Sequence, residues 1–544
     1  MNLSKGFHLT NVLFLGLICY LTFFHGLGHY ALWDPDEGRS GVIAKGIVTS
    51  GNWVTLARNG EPYYDKPALY FWLVALGLKL LGLSELAVRL PSALAASLTV
   101  GVVYLWGSVS GGWKRGLWGG MVLATSVEFV ALGRFGNTDM VFTFFFTASL
   151  LYFLWWKDKG GGKGWIWPFY LFLALASLTK GPVGVLLPLL IVGITLGISK
   201  RWVLLREMRL LRGIGVVVLV SGPWYLLAAL RDPEYIKTFL WSHNVLRFFT
   251  SQQGIDHPEP IYYLFLVLGG GFLPWVFFLP PLLHNLWEGR GKEGQEEWLF
   301  LAVWATTVLV FFSLARNKLG TYILPVFPPL ALLTGNLLRQ FVEGEETRPW
   351  RSRWVLTSSL VWLFLLFSIS PVSEMILKNR YPQYFPVNFP LFYASFFFLL
   401  AALGWILRKG KWAPWIVSFS SLWLTLWFYG VKAHEISALR STRSLSQVVN
   451  ENGAKEYRVV TIRAESFSFY LPRYVQVVSQ PGLIESMLEE PVPTVVLVKT
   501  KHLIEMKHIP RSRLFIWKAI QSGNALVANF PQVPAQDLSN VLKR

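Results

Sequence analysis

A polytopic α-helical membrane protein with a small α/β domain at its C-terminal end is the fold class this sequence predicts. Three observations carry that reading. The 544-residue chain is 53% hydrophobic and 16% aromatic, with a mean hydropathy of +0.43. Apolar runs of about 20 residues recur along it, longer than ordinary buried segments and long enough to span a bilayer. From about residue 431 the composition shifts to short β-branched runs. The net charge of +19 suits contact with anionic lipid surfaces. Many of the cations sit in short loops between apolar runs, which argues against nucleic acid as a partner. The single cysteine, Cys19, lies inside an apolar run. It supports neither a disulfide framework nor a thiolate metal site.

The first apolar stretch, 11–31, follows Lys5, is long enough to span, and lacks a small-residue cleavage pattern. It reads as a retained signal anchor with a cytoplasmic N-terminus. Further apolar segments follow at about 67–83, 90–110, 116–133, 139–156, 165–179, 181–198, 213–230, 261–283, 298–315, 321–338, 354–372, 389–407 and 412–430, making 14 candidates. Basic linkers test the count. They are Lys114/Arg115, Lys157/Lys159/Lys163, Lys200/Arg201/Arg206/Arg209/Arg212, Arg290/Lys292, Arg348/Arg351/Arg353 and Arg408/Lys409/Lys411. If 67–83 spans, parity puts all of them outside while Lys5 stays inside. If it does not, all fall inside. That segment is also short, begins at Pro67 and carries Lys79. It therefore reads as a helix lying at the outer interface. This leaves 13 spans and an outer C-terminus. Residues 1–430 form the transmembrane domain, with a first outer loop and interfacial helices at about 32–89, and residues 431–544 form an extracytoplasmic α/β domain. In that last region EYRVVTI, YVQVV, TVVLV and RLFIWKAI read as strands. GGGKG (160–164) is a loop, since it lacks the strand and the Lys-Ser/Thr of a phosphate-binding fingerprint.

Charged clusters interrupt the apolar chain at WDPDEGRS (33–40), YYDKPALY (63–70) and GRFGNTDM (133–140). Charge at membrane level is costly, so such residues mark functional sites by default. With 13 spans, Asp34, Asp36, Glu37, Arg39, Asp65, Lys66, Arg134 and Asp139 are all extracytoplasmic. So are Lys180 in LTKGPVG (178–184), the loop around WSHNVLRF (241–248), and NKLGTY (317–322). Read singly, Asp34, Asp36 and Asp139 suit helix caps, Asp65 and Lys66 a surface ion pair, and Lys180 a snorkelling cation. Read together, they ring one outer cavity where carboxylates face fixed cations. Such a set suits group transfer from a lipid phosphate. Lys and Arg hold the phosphate leaving group, and a carboxylate orients or deprotonates the acceptor. Aromatic and apolar spans would form the groove for a long isoprenoid tail. No cofactor is implied and no His or Cys metal motif is visible, though paired Asp and Glu could hold a divalent cation.

The runs WDPDEGRS, GNWVTLARNGEPYYDKPALYFWLVA, RLPSAL, GRFGNTDMVFTFF, LTKGPVGVLLP and NKLGTYILPVFPPLALL together resemble the lipid A aminoarabinose transferases. They also resemble their wider relatives, the protein O-mannosyltransferases. The resemblance covers most of 30–340. It implies the GT-C membrane glycosyltransferase fold, a polyprenyl-phosphate sugar donor such as an undecaprenyl-phosphate sugar, and inversion at the sugar. By matching position it implies catalytic places for Asp36, Glu37, Asp65 and Asp139. It implies donor-phosphate or substrate contact for Arg39, Tyr63, Lys66, Lys180 and Tyr322, and for His243 and Arg247 in one phosphate-facing loop. Ser40 stands where the family usually has Tyr, Asp65 where it has Glu, and Gly320 where Pro is common.

The function this resemblance implies is transfer of an aminoarabinose-like sugar to lipid A at the periplasmic face of the bacterial inner membrane. The alternatives are galacturonic acid transfer to lipid A or its core, protein O-glycosylation, and a sugar transferase for another envelope polymer. A transporter fits less well, because the chain shows no internal repeats and its charges cluster at the ends of spans.

Overall fold

Apolar composition all round a helix, without an amphipathic stripe, is the mark of a segment covered by protein or lipid on every side. Most helices of this chain have it. In the computed structural model the described residues are 9–161, 165–239, 241, 258–288, 295–344, 349–380, 399–400, 402–404, 410–451, 457–462, 465–472, 475–478, 481–499, 514–520 and 524–530. They divide into two compact units. The first comprises Met1–His25, Asp65–Leu69 and Ser92–Phe428, and the second Gly26–Tyr64, Tyr70–Pro91 and Tyr429–Arg544.

The first unit is helical. Among the described residues of the chain, five helices are long and apolar enough to cross a membrane: Glu85–Gly111, Thr138–Asp158, Leu210–Arg231, Glu296–Leu314 and Gly320–Glu343. Two further apolar pairs are sharply bent, Trp113–Ala124 with Val127–Gly133 at 71° and Tyr263–Gly271 with Trp275–His284 at 104°. These pairs cover the expected spans 116–133 and 261–283, each of which is bent. At the first bend the Thr125 and Ser126 hydroxyls donate back to the carbonyls of Met121 (2.6 Å) and Val122 (2.7 Å). The Val127 amide leaves the helix to donate to the Leu273 carbonyl at 3.1 Å. Side chains that compete for helix carbonyls loosen the ladder at that point. At the second bend, Pro274 cannot donate to the helix it follows. The expected span 389–407 lies largely outside the described residues.

Three of the basic linkers close on one acidic pair in this unit. Arg115 pairs with Glu297 at 2.9 Å, and Lys157 and Arg201 pair with Glu296 at 3.2 and 2.5 Å. The Trp106 indole also donates to Glu297 at 2.7 Å. Arg115 is almost wholly buried, so its pair is held by geometry as well as charge.

The second unit holds the helix Asp36–Ser50, the hairpin β1 (Ala57–Arg58) and β2 (Glu61–Pro62), the helix Leu69–Leu81 from Tyr70 on, and a five-stranded sheet. At 1.5 Å per residue, the 13 residues of Leu69–Leu81 extend about 20 Å, short of a hydrocarbon core of about 30 Å. Leu76, Leu80, Leu81 and Leu83 are exposed on or just beyond it. The sheet comprises β3 (Arg458–Thr461), β4 (Gln476–Val477), β5 (Thr494–Lys499), β6 (Phe515–Ile520) and β7 (Asn524–Ala528), in the order β4-β3-β5-β7-β6. The first three run parallel, and β7 and β6 are antiparallel. Successive residues alternate between two cores. Val459, Val495 and Leu497 join Phe467 and Trp517 on one face, while Val460, Val496 and Val498 join Ile484 and Leu488 on the other. A strand covered on both faces needs apolar residues at every position, which is why these runs are unbroken valine and leucine.

Candidate active site

In the second unit the acidic motif at 34–39 folds around a buried arginine. Arg89 and Glu37 are both fully buried and form a bidentate pair, with Nε to Oε1 and Nη2 to Oε2 at 2.7 Å each. Arg89 also donates to the carbonyls of Leu27 (2.9 Å), Tyr30 (2.7 Å) and Ala31 (2.9 Å). Its guanidinium lies 3.7 Å from the centre of the Tyr30 ring. All five of its N–H groups are therefore engaged. Glu37 further accepts the Trp33 amide at 2.9 Å. Both Glu37 oxygens are engaged and the side chain is fully buried, a placement that ties the loop to Arg89.

Asp36, one residue earlier, is placed differently. Its side chain is 54% exposed and pairs with Arg39 at 3.3 Å, one turn along the helix. Asp36 is thus the open carboxylate of this motif. Tyr63 is buried with its ring edge against Phe71, at a centroid distance of 5.7 Å. That places it in the packing beneath the loop. The hydroxyl of Tyr470 accepts the Leu32 amide (2.8 Å) and donates to Glu85 (3.0 Å), and Arg443 pairs with Glu85 at 2.9 Å.

The helix Asp36–Ser50 packs on the short helix Glu465–Tyr470 and braces it at both ends. Asp34 accepts from the Ser466 amide (2.7 Å) and from the Ser466 hydroxyl. Lys45 donates to the carbonyls of Ser468 (2.9 Å), Phe469 (3.3 Å) and Leu471. A carboxylate at the start and an ammonium at the end complement the helix dipole. Gly38 makes the approach feasible, since a Cβ there would fall 2.5 Å from the Ser466 nitrogen. Burial pushes the Asp34 carboxyl up to about 7, against the lowering effect of the Ser466 bonds. Repulsion from Glu465 and Glu37 adds to the rise. Burial likewise raises Glu465 and brings Lys45 down to about 8. A carboxyl raised on folding stabilises most below its unfolded value near 4 and loses that contribution as pH rises through about 7. The purified full-length protein should therefore unfold at a higher temperature near pH 5 than near pH 8, by the equivalent of about 2–3 kcal/mol from Asp34. Thermal melts of Asp34→Asn should lose most of that slope. An unchanged slope would remove Asp34 as its source.

The first unit carries a second polar cluster where two apolar helices end. Lys180, the last residue of Trp167–Lys180, pairs with Asp139 in the first turn of Thr138–Asp158, and both side chains are largely buried. The Lys180 ammonium lies 4.5 Å from the centre of the Tyr322 ring, 5.2 Å from Phe142 and 5.9 Å from Phe312. Aromatic faces and a carboxylate together stabilise a desolvated ammonium. Asp139 is not the helix cap. Asn137 is, its side chain accepting the Asp139 amide at 3.1 Å. The Asp139 carboxylate is thereby left for Lys180. Asp65 and Lys66 also belong to this unit and are half-buried. His243 and Arg247 lie outside the described residues.

The structure thus gathers the expected residues into two groups. Asp36 and Arg39 stand together in the second unit, and Asp139, Lys180 and Tyr322 in the first. Sequence reasoning missed Arg89, whose only signal is the run RLPSAL, and Ser466, which has none. It also missed Glu128, a lone carboxylate in an apolar run. Among the described residues, no three His, Cys, Asp or Glu side chains converge as a metal site.

The family described as dolichyl-phosphate-mannose-protein mannosyltransferase matches residues 65–226, which include Asp139 and Lys180. An undecaprenyl phosphate-α-4-amino-4-deoxy-L-arabinose arabinosyl transferase of Pseudomonas fluorescens is 32% identical over 391 residues, covering 70% of this chain and 68% of that protein. The chain belongs to this arabinosyl transferase family. The corresponding transferase of Pseudomonas paraeruginosa is 32% identical, over 67% of this chain and 65% of its own. Among solved structures, the crystal structure of ArnT from Cupriavidus metallidurans bound to undecaprenyl phosphate superposes with a TM-score of 0.79. It shares 23% identity, over 96% of this chain and 99% of that one. The fold is therefore the GT-C fold. As a member of the arabinosyl transferase family the chain is a multi-pass membrane glycosyltransferase.

Proposed function

We propose that this chain transfers 4-amino-4-deoxy-L-arabinose from undecaprenyl phosphate to lipid A, with inversion, at the periplasmic face of the inner membrane. The observation that carries the reading is the ammonium of Lys180, held at the end of an apolar helix by Asp139 and three aromatic rings. An ammonium so placed suits the phosphate of a lipid-borne donor. In the transfer, an acceptor oxygen forms a bond to the anomeric carbon while the bond from that carbon to the phosphate oxygen breaks. Undecaprenyl phosphate leaves, its charge stabilised by Lys180, with Lys66, His243 and Arg247 as further holders of the donor. Tyr322 sits beside the ammonium as its ring partner. Asp36 orients the acceptor or takes its proton, and Arg39 holds Asp36. Asp65 takes the place of a supporting carboxylate beside Lys66.

The proposed topology has 13 spans, a cytoplasmic N-terminus, and a periplasmic loop and α/β domain. Closure of Arg115, Lys157 and Arg201 on Glu296 and Glu297 supports a common side for the basic linkers. The shortness of Leu69–Leu81 and its exposed leucines support an interfacial helix.

The test is transfer by the purified protein from radiolabelled undecaprenyl-phosphate aminoarabinose to lipid A. Label in lipid A supports the proposal. A wild-type protein that uses the donor but labels only peptide acceptors would move the function to protein glycosylation. Lys180→Ala should lower turnover about 10²–10³-fold, as loss of one preorganised electrostatic stabiliser does. Lys180→Arg should keep part of it. Equal rates for wild type and Lys180→Ala at limiting donor would remove Lys180 from the donor site.

A further inference from the structure

We infer that Glu128 is a specificity-determining residue of this transferase, its carboxylate receiving the ammonium of the transferred amino sugar. The inference rests on the amino-sugar reading above. Glu128 lies just past the 71° break between Trp113–Ala124 and Val127–Gly133. Its Oε2 is sealed from solvent and has no hydrogen-bond partner among the described residues. A buried carboxyl oxygen without a donor is costly unless a cation or proton fills its place. Evolution toward stability alone would replace it by an apolar residue. A cost retained at a membrane-level site points to a ligand.

Charge identifies the ligand. The Glu128 and Asp139 carboxylates are close enough to repel each other. Asp139 is already neutralised by Lys180. Of these two acidic side chains, Glu128 is the one with no cation paired to it among the described residues. Lys180 is the group that meets the donor phosphate, so the sugar attached to that phosphate lies within the same cluster. A neutral sugar would leave Glu128 unmatched, and an acidic sugar would be repelled by it. A sugar carrying one ammonium completes the set. The facing backbone is shaped for this carboxylate, since a Cβ on Gly271 would fall 2.1 Å from Glu128 Oε2.

Two undecaprenyl-phosphate donors test it, one with the free 4-amine and one with that amine acetylated, each at limiting concentration with the full-length protein. Wild type should prefer the free amine. Glu128→Gln should lose about 10–100-fold in kcat/KM on the free-amine donor and change little on the acetylated one. Glu128→Asp should retain part of the preference. Gly271→Ala, which pushes the carboxylate aside, should mimic Glu128→Gln. Glu128→Gln should also melt no lower than wild type, because a neutral amide is cheaper to bury unpaired. Equal losses on both donors, or none on either, would overturn the assignment while leaving the transferase reading intact. Wild-type protein that ignores the free-amine donor and uses an uncharged or acidic sugar would overturn both.

Discussion

Asp36→Asn should lower transfer while leaving the protein folded and inserted. The side chain is more than half exposed and pairs with Arg39 across one helical turn. Its amide isostere therefore keeps volume and surroundings and removes only charge. The size of the loss reports the acceptor. If the attacking oxygen belongs to a hydroxyl, Asp36 must take its proton, and turnover should fall about 10²–10⁴-fold. If it belongs to a phosphate already ionised at neutral pH, Asp36 only orients it, and the loss should be smaller and flat with pH. Single-turnover transfer at saturating donor, measured across pH for both proteins, separates the cases. Near-normal turnover of Asp36→Asn would end its catalytic assignment. Membrane extraction and melting temperature should match wild type in either case.

Breaking the Glu37–Arg89 pair should have the opposite signature, lost stability first and lost activity as its result. Glu37→Gln leaves a guanidinium buried among three carbonyls and the Tyr30 ring with no counter-charge. Arg89→Met leaves a carboxylate in the same place. Removing one partner of a buried pair costs about 3–5 kcal/mol. Each single variant should melt far below wild type and elute as aggregate from gel filtration in detergent. The double variant should be milder than the sum of the two, because neither charge is then stranded. A Glu37→Gln protein as stable as wild type would show that the pair organises nothing. The three carbonyls at 27, 30 and 31 belong to the loop that leads into Asp36, so the pair fixes the path of that segment.

What the sequence made visible follows from what sequence patterns encode. Lys180 and Asp139 were legible because charge beside long apolar runs is expensive and therefore rare. β3 and β5 were legible because strands buried on both faces read as unbroken β-branched runs. β7 was not, since Asn524 and two alanines among its five residues carry little strand preference. The bend at Thr125 and Ser126 was hidden for a different reason. Two hydroxyl residues in an apolar run fit a straight helix equally well, and the acceptor that captures the Val127 amide comes from Leu273, far along the chain. Arg89 illustrates the same limit. Its partner Glu37 is 52 positions away, and its other acceptors are backbone carbonyls, which leave no trace in residue identity.

The acidic pair Glu296 and Glu297 has a temporal side. Arg115, Lys157 and Arg201 are synthesised well before the carboxylates that later hold them. While the early spans enter the bilayer these cations have no such partner, and in the proposed orientation they act at full strength as retention signals for the cytoplasm. Only when the helix Gln295–Leu314 emerges are they paired and turned into ties between loops. The same three side chains therefore serve first as an address and afterwards as a fastening, in an order set by the direction of translation.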